Sequence, residues 1–582
     1  MFARVALAVL LVLALLPASA TGVATTTTAT GTSATATGTS ATATGTSATA
    51  TGTTTPSGTR TSSGASTPSG TTTHSSASPH IVAVYPNPVA MDDAGEFVVV
   101  TFPRKTTLST WTLSDEQSTS TLSNRTVSGT VAFSTAPNRT ENLTSFRILP
   151  LENLSLANSG ETVTLGRTTG GGSETDVDSV TYVDAPESEC WRPTTQSWRP
   201  LGATNFTVTR SDATTARVFV LPDDPNVPVE TLRSAKRRLL LAGYSFTSPR
   251  ITDLLIAAAN RGVNVHVLVD DAPVGGISTR EAAVLDRLTN HGVTVDVIGG
   301  ERGRYDFHHA KYAIADDEAI VMTENWKPAG VGGHSSRGWG AIVGGEAVEN
   351  LEAIFDADTS WYDTTPWQSF REGRSFNPTT AANESYPTKF PAKRVPIDAV
   401  SVLTAPDDAE SGVLSLLRSA NDSIDVQQMT IGSIHQPFIR ATLAAARRGV
   451  TVRVLLSNAW YVHDDNQRVV RWLNERADAE GLPLEAELAS PHGYEKIHAK
   501  GVIVDRRHVV VGSLNWNNHS ARENREVAVV LHGSAAGRYY SRAFEADWGA
   551  KKNRFPVGLA AFVAIAIAGA VWIAKREIRF ES

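Results

Sequence analysis

KIHAKGVIVDRRHVVVGSLN, residues 496–515, is the stretch on which the reading of this chain turns. An apolar, β-prone run carrying His498 and Lys500 meets a polar turn at Asp505-Arg506-Arg507-His508, and a second apolar run follows. Side chains at i and i+2 of a strand share a face, so His498 stands beside Lys500 while Ala499 points the other way. The pattern predicts a hairpin that returns Ser513 and Asn515 towards that His and Lys. It occurs a second time, as FHHAKYAIADDEAIVMTEN at residues 307–325. That copy pairs His309 with Lys311, turns at Asp316-Asp317-Glu318 and returns Thr323 and Asn325. A lone His on a strand is ordinary, but a doubled context is a motif. Two histidines, two lysines and two asparagines brought together form a metal-free arrangement for attacking a phosphodiester. An enzyme is therefore the leading reading.

The repeat extends beyond the motifs. Leu221-Pro222-Asp223-Asp224 answers to Ala405-Pro406-Asp407-Asp408, and Leu232-Arg233-Ser234-Ala235 to Leu417-Arg418-Ser419-Ala420. In each half an alanine-rich helix is expected to end at Gly262 or Gly449, fitting residues for the position after a helix cap. Pro249 and Pro437 stand near its start, where proline is tolerated. Buried-looking strands follow at 263–269 and 450–456. Alternation of strand and helix predicts an α/β fold with a largely parallel sheet in each half. Two such lobes related by pseudo-two-fold symmetry would set the two hairpins face to face.

The second copy runs through His498, Lys500, Asp505, Gly512-Ser513-Leu514-Asn515 and Asn524-Arg525-Glu526. In this it resembles the phospholipase D superfamily and its HKD signature, over residues 215–550. The resemblance implies a first lobe at 215–375 and a second at 395–550, sharing one active site with His309, Lys311, His498 and Lys500 as catalytic residues. One histidine would attack phosphorus to give a phosphohistidine. The other would protonate the leaving alcohol and then activate water or an acceptor alcohol. Which histidine attacks stays open on the residues alone; analogy with the family favours His309. Lys311, Lys500, Asn325 and Asn515 would hold the non-bridging oxygens, with Thr323 and Ser513 binding or supporting the phosphate. Asp316 and Asp505, at strand ends, are expected to orient or support, and Glu526 to orient a histidine. The first copy departs from the pattern, because Ser336-Arg337-Gly338 has no counterpart to Glu526. One half of the site is therefore expected to be less tightly supported. No cofactor is implied, and no Cys/His cluster has zinc-site spacing.

The flanks predict an address. Residues 1–20 read as a secretory signal closing on Ala18-Ser19-Ala20. Residues 555–574 carry no charge and are long enough to span a bilayer, leaving 575–582 as a cytoplasmic tail. Basic residues flank both ends of that span, so the signal peptide has to decide orientation, with the catalytic lobes outside the cell membrane. The tract 21–78, with its repeated ATGTSAT, lacks apolar residues for a core and reads as a stalk. Residues 79–210 show short alternating runs between Pro, Asn, Gly and Asp, a pattern suited to a small β-sandwich. Within it Gly95-Glu96-Phe97-Val98, Trp111-Thr112-Leu113-Ser114-Asp115 and Asp178-Ser179-Val180-Thr181-Tyr182 resemble a lamin-tail domain, which implies an Ig-like accessory unit.

Composition bounds the function. The 582 residues allow three folded domains, and the single cysteine, Cys190, excludes an intramolecular disulfide. A net charge of −7 gives no global basic field for nucleic acid. Scarce lysine with abundant Ala, Thr and Asp suggests a haloarchaeal surface protein. Three functions follow: a membrane-anchored phosphodiesterase acting on phospholipid headgroups by hydrolysis or transfer, an extracellular endonuclease using the same histidines, or a surface binding protein with a decayed site. The short link from Trp548 to the expected anchor favours lipid, and two half-sites in one chain predict a monomer.

Overall fold

The computed structural model describes residues 78–549, apart from 89, 91, 92, 142, 145, 170–172, 301 and 302, together with 566–569 and 572. The expected signal peptide and nearly all of the expected stalk lie outside these residues. So does most of the expected membrane span, of which the described positions are helical. Among the described residues no helix is long and apolar enough to cross a membrane.

The N-terminal module consists of two β-sheets. The larger contains His80–Tyr85 and Phe97–Thr107, the smaller Trp111–Ser114, Gly160–Thr168 and Glu174–Val183. Alternate residues of each strand meet between the sheets, Val98, Val100 and Phe102 from one against Trp111, Leu113, Val163 and Leu165 from the other. The strand Phe97–Thr107 is also buried on its other face, where Phe97 and Val99 pack with Tyr85 and Cys190. At the border with the first lobe the backbone presses so closely on Trp361 that a Cβ on Gly202 would lie 2.2 Å from the indole.

Each lobe is one mixed sheet. In the first, Arg238–Gly243, Asn264–Asp270 and Thr294–Ile298 run parallel, and Lys311–Ala315, Glu318–Met322 and Ser336–Gly344 add antiparallel. The second repeats this with Ser423–Gln428, Thr451–Leu456 and Leu484–Leu488 parallel, then Lys500–Val504, His508–Gly512 and Glu526–His532 antiparallel. The expectation of a largely parallel sheet is thus overturned. Within each lobe the strands joined by helical crossovers are parallel, whereas the motif strands form a hairpin whose turn is too short for the crossover a parallel pair needs, and the returning strand adds antiparallel to it. The crossover helices form as the sequence predicts: Pro249–Asn260 begins on proline after a Ser248 cap, and Gly262 follows with φ +87°.

The two sheets pack face to face. Val220, Tyr312, Ile314 and Trp339 of one meet Ile503, Val511, Val527 and Val529 of the other in a single core, which also takes in the helices Glu346–Thr359 and Ser534–Trp548. Trp339 is fully buried against Tyr540 and occupies the space a side chain at Gly501 would need. The remaining helices cover the outer faces in separate cores. Edge strands tie the lobes further: Thr209–Asp212 joins the second lobe's sheet, and Lys393–Pro396 the first lobe's.

Candidate active site

The motif strands, expected to be continuous, break at their histidines. In the first lobe the strand starts only at Lys311, and the His309 N–H donates across the lobe boundary to the Arg525 carbonyl at 2.9 Å. In the second, Lys496–Ile497 pairs parallel with Ser336–Gly344, and the His498 N–H donates to the Arg337 carbonyl at 3.0 Å. Buried backbone groups must find partners. The chain ahead of each histidine finds them on the opposite lobe, so both histidines sit where the two sheets exchange hydrogen bonds.

Two buried arginines hold this exchange in register. Arg525 lies among Asp358 of the first lobe at 3.0 Å, Asp407 of its own at 3.4 Å and the face of Tyr305 at 4.2 Å. Arg337 mirrors it, with Asp547 of the second lobe at 3.0 Å, Asp223 of its own at 2.5 Å and Tyr494 at 4.6 Å. Asp223 and Asp407 belong to the repeated Pro-Asp-Asp sequences, which accounts for that part of the repeat. The N-terminal module reaches the same network, because Thr204 Oγ1 accepts from the Arg525 guanidinium at 2.7 Å and donates to Asp407 at 2.6 Å.

The imidazoles are paired crosswise with carboxylates. His309 Nδ1 lies 3.0 and 2.9 Å from the two oxygens of Glu526, on the other lobe. Ser520 Oγ and Asn524 Nδ2 hold that carboxylate in turn. His498 Nδ1 lies 3.4 Å from Oε2 of Glu324, again across the boundary. Ser336-Arg337-Gly338 supplies no carboxylate; the one facing His498 comes instead from Glu324, just past the end of the adjacent strand Glu318–Met322. Both imidazoles are mostly buried, and burial depresses each to about 4, the lysines adding to the effect and the glutamates opposing it. At neutral pH both are neutral. In His309 an Nδ1–H donated to Glu526 leaves Nε2 with a free lone pair, whereas His498 Nδ1 faces Glu324 without a formed hydrogen bond.

The lysines sit where the i, i+2 pattern predicts. Lys311 Nζ donates to the His309 carbonyl and lies 5.1 Å from the Tyr244 ring centroid, and that ring packs 4.7 Å from the His309 imidazole. Lys500 Nζ donates to the His498 carbonyl at 2.8 Å. Burial drives Lys311 well below its ordinary range and brings Lys500 to about 8. Asn325 and Asn515 each keep a buried Oδ1 with no protein partner. Thr323 and Ser513 each use the hydroxyl oxygen to hold the returning strand, and Ser513 also donates to the Val527 carbonyl. Thr323 Oγ1 accepts from the Trp339 N–H at 3.0 Å and Ser513 Oγ from the Val527 N–H at 3.0 Å, so both support the returning strand. Asp316 accepts from the N–H groups of Lys236, Arg237 and Arg238, and Asp505 from those of Asn421, Asp422 and Ser423. These two carboxylates clamp the turns to the neighbouring strands, away from the histidines.

Beyond Glu324, sequence reasoning passed over Arg337, Arg525, Asp358 and Asp547. The arginines sit at matching places just after the returning turn, a signal the repeat did contain; the two aspartates at helix ends carried none. Among the described residues, Asp306, His519 and Glu523 bring possible metal-ligand atoms within 4.8 Å of one another. They are exposed, and the His519 Nδ1–Glu523 contact at 2.8 Å, one turn apart on the same chain segment, accounts for the closeness of that pair.

A family model described as "Cardiolipin synthase, PLD-like domain" matches residues 229–359 and 413–548. A cardiolipin synthase of Oceanobacillus iheyensis is 26% identical over 350 residues, 55% of this chain and 65% of that protein. The mitochondrial cardiolipin hydrolase of Xenopus tropicalis is 30% identical over 142 residues, 24% of this chain and 62% of that one. The chain thus spans less than two-thirds of the length of these relatives. A phosphatidylserine synthase structure from Haemophilus influenzae aligns over 56% of this chain and 85% of its own, with a TM-score of 0.44 and 12% identity.

Proposed function

We propose that these two phospholipase D-like domains form one phosphodiesterase site, which transfers or hydrolyses phospholipid headgroups through a phosphohistidine on His309. The observation that carries this reading is the crosswise pairing of His309 with Glu526 and of His498 with Glu324. It gives two oriented, neutral imidazoles, one from each lobe, with two lysines beside them. Their relatives' printed names, a cardiolipin synthase and a cardiolipin hydrolase, support lipid as the substrate.

In the first step His309 Nε2 attacks phosphorus, the bond to the leaving alcohol breaks, and His498 Nε2–H gives that oxygen its proton. In the second, His498 takes a proton from water or an acceptor alcohol, whose oxygen attacks phosphorus and expels His309. His498 must start protonated. The anionic phosphodiester supplies the reason, since a negative charge within a few ångströms raises an imidazole pKa from the low value burial imposes. Lys311, Lys500 and the amides of Asn325 and Asn515 meet the equatorial oxygens as their charge grows.

The reading extends to location and accessory parts. The signal-like residues 1–20, the uncharged span 555–574 and the link that follows Trp548 support a single-pass protein acting beside the outer face of the cell membrane. Composition supports a haloarchaeal source. The sequence elements quoted above support a lamin-tail-like, Ig-like reading of the two-sheet module, which would position the lobes, and the paired half-sites support a monomer. The test is turnover by the full chain, with EDTA present, of vesicles containing phosphatidylglycerol or cardiolipin, set against single- and double-stranded DNA. Headgroup transfer or release that His309→Ala and His498→Ala both abolish is the expected result. DNA cutting with the same dependence would replace lipid by nucleic acid as substrate, and activity that survives both substitutions would sink the shared site.

A further inference from the structure

We infer that Glu324 is the positioning residue of His498, and that Gly338 exists to make room for it: the carboxylate the second lobe carries on Glu526 has moved, in the first lobe, to the residue just past the end of the neighbouring strand. This rests on the two-histidine reading above.

Strand register defines the equivalence. The Thr323 N–H donates to the Trp339 carbonyl at 2.9 Å, as the Ser513 N–H does to the Val527 carbonyl at 3.0 Å. Met322 opposes Gly340, as Gly512 opposes Ala528. Counting along both strands, Glu324 takes the place of Leu514, and Gly338 the place of Glu526. Leu514 is a buried apolar residue of the second lobe's outer core. Glu324 is equally buried but polar, and its side chain crosses directly over Gly338: a Cβ built there would lie 2.3 Å from its Cγ and 2.8 Å from its Cδ. Gly330 clears the other side, where a Cβ would lie 2.9 Å from Glu324 Cβ. With any side chain at 338 the carboxylate could not pass. One glutamate is thus displaced between adjacent strands and reaches the equivalent imidazole nitrogen.

The displacement makes the two halves unequal. Glu526 makes two close contacts to His309 and is held by Ser520 and Asn524. Glu324 offers one oxygen to His498 at 3.4 Å, and its Oε1 is buried without a protein partner. The charged groups facing His498 are Lys500, Glu324 and Lys311. A nucleophile needs one fixed position, whereas an acid/base must follow a proton between leaving and entering oxygens. The firm mount on His309 and the looser one on His498 fit those separate duties.

The experiment compares full-length wild type with Glu324→Gln, Glu324→Leu, Gly338→Glu and the double variant Glu324→Leu/Gly338→Glu, each checked for folding by circular dichroism. First-turnover rates are read on a phosphodiester with an alkyl leaving group and on one releasing nitrophenolate, which leaves without a proton. Glu324→Gln should slow alkyl release by about 100-fold, the scale for removing the partner that orients an imidazole, and nitrophenolate release by less than about 10-fold. Glu526→Gln, acting on the nucleophile, should slow both alike. The double variant, carrying the second lobe's arrangement in the first, should recover at least about ten-fold over Glu324→Leu. Equal slowing of both substrates by Glu324→Gln, or a double variant no faster than Glu324→Leu, would overturn the assignment. Wild type failing on both substrates, or activity surviving His309→Ala, would instead count against the parent reading.

Discussion

Replacing Arg525 by Met tests whether the lobe boundary is locked by buried charge. The Arg525 guanidinium is fully buried, and it faces two carboxylates that are buried as well, Asp358 and Asp407. Met keeps most of the stem's volume, so the change removes the charge and few apolar contacts. Breaking a buried ion pair from one side typically costs about 3–5 kcal/mol, because the remaining charge stays desolvated. Here each carboxylate keeps another partner: Asp358 has His308 at 3.1 Å, and Asp407 has Arg199 at 3.0 Å. That argues for the lower end, about 3 kcal/mol, which for two lobes unfolding around one core corresponds to a Tm lower by roughly 3–5 °C.

The loss should also depend on pH. In the wild type Arg525 opposes the effect of burial and holds Asp358 at about 2, well below the usual carboxylate range. Without the cation, burial pushes that carboxyl up against the remaining pull of His308 and Arg304, so the folded variant holds its proton to higher pH than the wild type. Its stability relative to the wild type must then fall as pH rises through the raised pKa. Scanning calorimetry at pH 5 and pH 8 should show a deficit larger at pH 8. Because the Arg525 carbonyl receives the His309 N–H, activity should fall with it. A deficit below 1 kcal/mol, or one equal at both pH values, would refute the locking argument.

Further expectations concern the site itself. Because burial holds His309 near 4, the acid limb of kcat/KM should appear below about pH 5; a limb centred near 6.5 would mean that the free imidazole is not desolvated as described. The same depressed imidazoles bind more protons when unfolded, so stability should fall as pH drops from about 6.5 towards 4, and a flat melting temperature over that window would contradict it. Lys311 is buried with only a carbonyl as hydrogen-bond partner, so Lys311→Met should leave Tm unchanged or higher while lowering kcat/KM by about 100-fold or more; a fall in Tm with retained activity would assign it to structure. Asp316→Ala removes the acceptor for three backbone N–H groups and should cost about 1–3 kcal/mol by denaturant titration while kcat stays near wild type. A large loss of kcat there would return the aspartate to the chemistry.

Several elements were legible before folding because their cause is local. The placement of Lys311 beside His309 and of Lys500 beside His498 follows from the two-residue period of an extended chain. The start of the helix at Pro249 and its end before Gly262 follow from backbone stereochemistry. The two-lobe repeat was legible because each half must bury the same pattern of apolar residues. The parallel-sheet expectation failed because alternation of strand and helix describes only the first part of each lobe, and says nothing of strands added by hairpins.

The residues of the proposed site were thus written in the chain, since His, Lys and Asn at strand spacing are a chemical pattern that needs no coordinates. Their partners were not. Glu324 sits beside His498 although the two are far apart in sequence, and nothing local to either position implies the other. That contact arises because the chain before each motif hydrogen-bonds to the opposite lobe, bringing four strand ends from two sheets to one place. Hydrogen bonding and close packing across a boundary depend on which surfaces meet. Only the folded protein shows that the carboxylate serving the second histidine comes from the first lobe, passing over a glycine that leaves it space.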